Sequence, residues 1–218
     1  MLEKIDLIKS NENSPKKLML KLLDLFESEI ENYSKLDDFP DPWSSYTERP
    51  MLGFFASAIS RFYHSNRITL LQDFNINSSE GSGRSDLYLA EDFNEFLIEA
   101  KFNSCSYGIL DWKWNEVEKL NQKIFNQLSW YELREPSNKK RKRFHVSLTF
   151  HYIHNKTRDY FKEIYPSKSF KQETVDRLYN ASDFFYKMIK PVEYTTVDVS
   201  KSVQNSGLEI WGSIMEIN

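Results

Sequence analysis

Two short runs, Gly83-Arg84-Ser85-Asp86-Leu87-Tyr88-Leu89 and Phe96-Leu97-Ile98-Glu99-Ala100-Lys101-Phe102, constrain the fold more than any other part of the chain. Each reads as a β-strand, and strand side chains alternate between the two faces of a sheet. In the second run Glu99 and Lys101 therefore share one face, while Phe96, Ile98, Ala100 and Phe102 take the other. Asp86 lies on the first run. If the two strands are neighbours, two carboxylates and one amine converge.

The flanking segments place these strands in an order. Ser14-Pro15 is a helix-start signal, with Ser at the N-cap and Pro at the first helical position. Leu18, Met19, Leu22, Leu23, Phe26, Ile30 and Tyr33 then recur at helical spacing, and Asp37-Asp38-Phe39-Pro40-Asp41-Pro42 breaks the helix. Thr47-Glu48-Arg49-Pro50 opens a second helix with the stripe Met51, Leu52, Phe55, Ala58, Ile59 and Phe62. Strands are predicted over 67–74, 84–90 and 95–102, joined by turns at 78–83 and 91–94, which makes an antiparallel meander. A helix over 112–133 follows and ends at Pro136-Ser137-Asn138. The cationic run Lys139-Lys140-Arg141-Lys142-Arg143 leads into a β-rich stretch over 144–153. A helix over 172–189, stopped by Pro191, and strands over 192–199 and 208–217 complete the reading. The fold class is α/β, a central mixed β-sheet flanked by helices.

Composition limits the function classes. The 218 residues include 29 Lys and Arg against 32 Asp and Glu, a net charge of -3, so the chain does not have the basic balance of a dedicated duplex-binding module. A site that gathers carboxylates and needs only a local basic surface remains compatible with that balance. Cys105 is the single cysteine, which excludes an intramolecular disulfide and a cysteine-cluster zinc site and suits a reducing compartment. His151 and His154, three apart in a strand, fall on opposite faces, so they and His145 do not form a zinc site. Met1-Leu2-Glu3-Lys4-Ile5-Asp6 lacks the apolar core of a signal peptide, and the apolar run over 51–59 is too short to span a bilayer. A cytoplasmic protein with no membrane association is expected.

The order helix, three strands, helix, strand over 48–153, with Asp86 on the second strand and Glu99-Ala100-Lys101 on the third, resembles the PD-(D/E)xK nuclease superfamily, the restriction-endonuclease-like fold. Ser85 stands before Asp86 where the family name has Pro. The resemblance implies one nuclease-like domain over 1–218, with an αβββαβ core at about 48–153, an N-terminal helical extension over 1–40 and a C-terminal αββ extension over 154–218. It further implies a Mg2+-dependent deoxyribonuclease, with Mn2+ as a substitute metal and DNA as partner, and it leaves a homodimer or larger complex open. Asp86, Glu99 and the Ala100 carbonyl would hold the metal. Lys101 would orient or deprotonate the attacking water, or offset developing negative charge.

Three further groups complete the expected site. Glu48 corresponds to the acid that the superfamily often places on its first core helix, with Glu29 and Glu31 as competitors; a glutamate at a helix start also simply complements the helix dipole. Gln127 and Tyr131 match the Gln-x-x-x-Tyr motif of RecB-like members and, four apart, lie one above the other on a helix face. Arg84 and the run Lys139, Lys140, Arg141, Lys142 and Arg143 are candidates for phosphate contacts, although a solvated loop has the same composition. Two other readings stand beside the nuclease. One is a nuclease-like fold that binds nucleic acid or a protein partner without cutting, and the other is a structural protein whose sheet face is merely charged.

Overall fold

The computed structural model describes residues 14–34, 48–62, 68–78, 81–91, 94–105, 109, 112–129, 141–156, 171–181, 183–189 and 205–217. Its centre is a six-stranded mixed sheet with strands β1 (Ile68–Ser78), β2 (Gly81–Glu91), β3 (Asn94–Cys105), β4 (Lys142–Lys156), β5 (Phe184–Ile189) and β6 (Asn205–Ile217). The strand order is β1-β2-β3-β4-β6-β5. Only β3 and β4 run parallel, from Asn94↔Lys142 to Cys105↔Ile153, and every other neighbouring pair is antiparallel. A parallel pair needs a crossover connection, and here it contains helix α3 (Trp114–Ser129).

Helices α1 (Pro15–Ser34) and α2 (Glu48–Phe62) cover one face of the sheet. The Ser14 hydroxyl accepts the Lys17 N–H at 3.2 Å, satisfying one of the free donors at the helix start. Met19, Leu22, Leu23, Phe26 and Ile30 of α1 and Met51, Leu52, Phe55 and Ile59 of α2 pack with Phe96, Ile98 and Ala100 of β3 and Phe144, Val146, Leu148 and Phe150 of β4. Phe26, fully buried, lies edge-on to Phe55 with ring centroids 5.5 Å apart and sits 5.7 Å from Phe150. Burying one such ring contributes roughly 1.5–3 kcal/mol, so this junction of two helices and the sheet is a main source of stability.

The opposite face carries α3 and the short helix α4 (Gln172–Asn180). Leu97 of β3 packs under Ile124, Phe125 and Leu128 of α3, with Tyr88 against them. Trp211 of β6 packs with Trp114, Val117, Leu178 and Phe184. One core thus joins α1 to β6, and the strands on the C-terminal side of residue 154 belong to the same sheet as the meander. Among the described residues, no helix is long and apolar enough to cross a membrane.

Several predicted elements differ from the observed ones. The helix predicted over 172–189 ends at Asn180, and Phe184–Ile189 is a strand paired with Leu208–Ser213 of β6. The aromatic run Phe184-Phe185-Tyr186 has strand propensity, and a free sheet edge outweighs the helical spacing that precedes it. The strand predicted over 192–199 lies outside the described residues. Strands β1 and β2 extend through most of the turn predicted at 78–83, pairing as far as Ser78↔Gly81.

Two glycines show opposite constraints. A Cβ on Gly212 of β6 would collide with the Ser147 carbonyl oxygen and the Phe185 ring, whereas a Cβ on Gly53 of α2 meets nothing within 4 Å. Gly212→Ala is therefore expected to destabilise the fold by about 1–3 kcal/mol or more, and Gly53→Ala to stabilise it by about 0.5–1 kcal/mol, read as opposite shifts of the urea midpoint. His145 offers a second test. It is 4% exposed, neither ring nitrogen has a hydrogen-bond partner, and burial lowers its pKa to about 4 from 6.5. The folded chain holds the ring neutral, so the unfolded chain takes up the proton first as pH falls below 6.5. Stability should decline from pH 6.5 towards pH 4 by about 3 kcal/mol, and His145→Leu should flatten that portion of the urea-midpoint profile.

Candidate functional site

The site forms where β2 leaves β3. Their paired register runs from Glu91↔Asn94 to Leu87↔Ile98, while β2 continues beside β1 to Gly81 and β3 continues beside β4 to Cys105. Side chains take over where the ladder stops. Buried Ser85 donates its hydroxyl towards the carbonyls of Leu87 and Ile98, at 3.0 and 3.1 Å. Asp86 Oδ2 accepts the Ala100 N–H at 2.8 Å. Ser85, the departure from the family pattern, is thus a clasp between the two strands at the point of divergence.

Alternation in β3 puts Glu99 and Lys101 on the α3 side and Ala100 on the α1–α2 side. Lys101 Nζ donates to Glu99 Oε1 at 2.9 Å and lies 3.8 Å from Glu48 Oε1, contributed by the first turn of α2. Four predicted residues from three elements therefore meet: Glu48, Asp86, Glu99 and Lys101. Glu29 does not join them, because its carboxylate is buried against Arg61, and Glu31 is exposed.

Three carboxylates against one ammonium leave an excess of negative charge. Burial raises the Glu99 pKa, Asp86 and Glu48 raise it further, and Lys101 opposes them without reversing the direction. Its Oε2 is buried and has no hydrogen-bond partner. Burial by itself would lower the Lys101 pKa, but the hydrogen bond and charge of Glu99, with Glu48 and Asp86, raise it overall. Lys101 is consequently a firmly protonated cation at neutral pH. Among the described residues, no three His, Cys, Asp or Glu side chains form a ready-made metal-binding group.

The second-rank predictions divide. Gln127 is half-buried on α3, with Oε1 buried and unpartnered. Its neighbours Ile124 and Leu128 rest on Leu97 and Tyr88, which face each other across β2 and β3. Those two positions are one pleat, about 7 Å, from Glu99 and Asp86 along their strands. Tyr131, Lys139 and Lys140 lie outside the described residues. Arg84 is placed in β2 opposite Asn75.

The cationic run is corrected in part. Lys142 and Arg143 belong to β4, not to a loop. Arg141 and Arg143 pair with Glu95 at 3.3 and 3.1 Å, and Lys142 with Glu216 at 2.9 Å. These three cations are already matched by carboxylates, because β3 and β6 bring an acid beside each. Glu95 also bonds the Tyr88 phenol, whose pKa is raised by burial and then by that carboxylate.

Sequence reasoning missed a polar layer under α3. Ser147 donates to Asn121 Oδ1, Asn121 Nδ2 donates to Ser213 Oγ at 2.8 Å, and the Ser213 N–H donates to Ser147 Oγ at 2.9 Å. Farther along, Asn103 and His151 are 3.3 Å apart, and buried Glu209 accepts from the Ile109 N–H at 2.7 Å and the Tyr186 hydroxyl at 2.9 Å. The alternation of His145, Ser147, Thr149 and His151 with apolar residues was the available signal, and it reads equally well as a solvated face.

No protein-family model, curated protein or solved structure matches the chain. What the site can do follows from its own geometry. Because the folded state raises the Glu99 pKa, the unfolded chain ionises this residue first as pH rises above the ordinary carboxylate range. Stability should therefore fall across the interval between the ordinary and the raised value. Glu99→Gln should remove that fall and be the more stable protein above it, measured by urea midpoints in EDTA.

Proposed function

We propose that the chain is a metal-dependent nuclease that hydrolyses phosphodiester bonds of DNA, built on a restriction-endonuclease-like core. The observation behind this reading is the meeting of Glu48, Asp86, Glu99 and Lys101 where β2 diverges from β3. The order α2, β1, β2, β3, α3, β4 agrees with the core expected for that superfamily and adds support.

A divalent cation fits these residues. Glu99 has a buried oxygen without a hydrogen-bond partner, and burial raises its carboxyl pKa, with two neighbouring acids adding to the rise, a cost that a cation offsets. Asp86, Glu99 and the Ala100 carbonyl would hold Mg2+, which favours one or two carboxylates and keeps several waters. When bound, the ion would polarise a phosphoryl oxygen and make its bound water a nucleophile at neutral pH.

The side chains supply the rest. The Asp86 to Ala100 bond fixes β3 against β2, so the carboxylates of Asp86 and Glu99 are set by backbone rather than by loops. Lys101, protonated by its acidic neighbours, suits donation to a water or a phosphoryl oxygen and the offsetting of developing negative charge, rather than accepting a proton. Glu48 restrains the ammonium from the other side. Gln127, with an unpartnered oxygen close to this face, suits a contact to the nucleic acid.

The test is incubation with circular, linear and single-stranded DNA in Mg2+ or EDTA, with Glu99→Gln and Lys101→Ala alongside. Cleavage should require metal, and each variant should lower kcat by about 100- to 1,000-fold. Cutting in EDTA, or undiminished in both variants, overturns the proposal. A gel shift without cutting identifies a binding module instead.

A further inference from the structure

The buried face under α3 has an order that the four site residues do not exhaust. Paired positions share a face, so β3, β4 and β6 present three rows there: Glu99, Ser147 and Ser213; Lys101, Thr149 and Trp211; Asn103, His151 and Glu209. Eight of these nine residues are polar or charged, and Glu99, Ser147, Thr149, His151, Glu209 and Ser213 are each buried. In the first row Asn121 joins Ser147 and Ser213, and in the third Asn103 contacts His151 while the Tyr186 hydroxyl donates to Glu209. The middle row differs. Thr149 is fully buried, and its hydroxyl has no hydrogen-bond partner.

An unpaired buried hydroxyl is costly, and a valine would fill the same space without that cost. Among the described residues, Trp211 Nε1 in the same row and Gln127 Oε1 on α3 are also unpaired, and the unpaired acceptor on a neighbouring strand, one row away, is Glu99 Oε2. Diagonal neighbours on a sheet face lie about 7–8 Å apart, which one water between two side-chain oxygens spans. Chemically the two match: a carboxylate oxygen only accepts, a hydroxyl both donates and accepts, and a water supplies two donors.

We propose that Thr149 is a positioning residue of the site, its hydroxyl engaging one lone pair of the otherwise unbonded oxygen of Glu99 through one bridging water and leaving the other lone pair to a metal ion. Lys101 holds the other oxygen, so the carboxylate is fixed from both sides and its plane is set relative to Asp86. Thr149 does not itself touch substrate. The catalytic consequence rests on the nuclease reading, whereas the linkage between Thr149 and Glu99 does not.

A double-mutant cycle with Thr149→Val and Glu99→Met, read by urea unfolding of the full chain in EDTA, tests the linkage alone. Thr149→Val is expected to lower the folding equilibrium constant about tenfold in the wild-type background and to have less than a threefold effect beside Glu99→Met. A neutral or stabilising Thr149→Val, or equal effects in both backgrounds, overturns the proposal. Should Thr149→Val fail to fold, the same cycle is run with Thr149→Ser and Thr149→Ala, and only the hydroxyl-bearing variant should keep the coupling. In DNA cleavage, Thr149→Val should lower kcat at unchanged KM, and Thr149→Ser should restore it. If the wild type cuts no DNA, the nuclease reading fails while the cycle still decides the role of Thr149.

Discussion

Strand β3 is covered on both faces but apolar on only one, and much of the structure answers to that constraint. Towards α1 and α2 it presents Phe96, Ile98 and Ala100, which need only close packing. Towards α3 it presents Glu95, Leu97, Glu99 and Lys101, and of these only Leu97 needs nothing but contact. Charged groups removed from water must find partners or change protonation state. Glu95 finds two arginines and a tyrosine. Glu99 finds one lysine and two like charges, an imbalance that marks it off from the other acids of the sheet.

The contrast between these two glutamates separates scaffold from site. Glu95 is over-compensated, and its cations bind β4 to β3 at the end where the meander is fully paired. Glu99 is under-compensated, and it sits where β2 has turned away. Perturbed ionisation, an opening between strands and converging carboxylates coincide at one place, which is the pattern expected where stability is given up for chemistry.

Much of this was legible in the sequence. The pairing of Asp86 with the Glu99 strand followed from period-2 alternation and a short turn, and the α2 entry placed Glu48 at a helix start that the fold brings to Lys101. Two things were not legible. The polar alternation of β4 carries no mark of whether water or a helix covers it, so nothing in the sequence shows that Ser147, Thr149 and His151 are buried. Residues 184–189 have helix-compatible spacing, and only the edge offered by β6, distant in sequence, makes them a strand. The cationic run likewise looked like a free loop because its partners, Glu95 and Glu216, lie 46 or more positions away.

The strand order also bears on how the molecule assembles. Strand β6 follows β5 in the chain yet lies between β4 and β5, and β6 is the strand to which β5 pairs. The meander of β1, β2 and β3 needs only local hairpins, whereas β6 must reach β4 across the intervening α4 and β5. Such non-local closure is slow relative to hairpin formation. The Asp86 and Glu99 strands can therefore pair early, while the floor of the polar layer beside them, with Trp211, Glu209 and Ser213, arrives late. During that interval β4 is an open edge, and Gly212 is the residue whose lack of a side chain lets β6 close it.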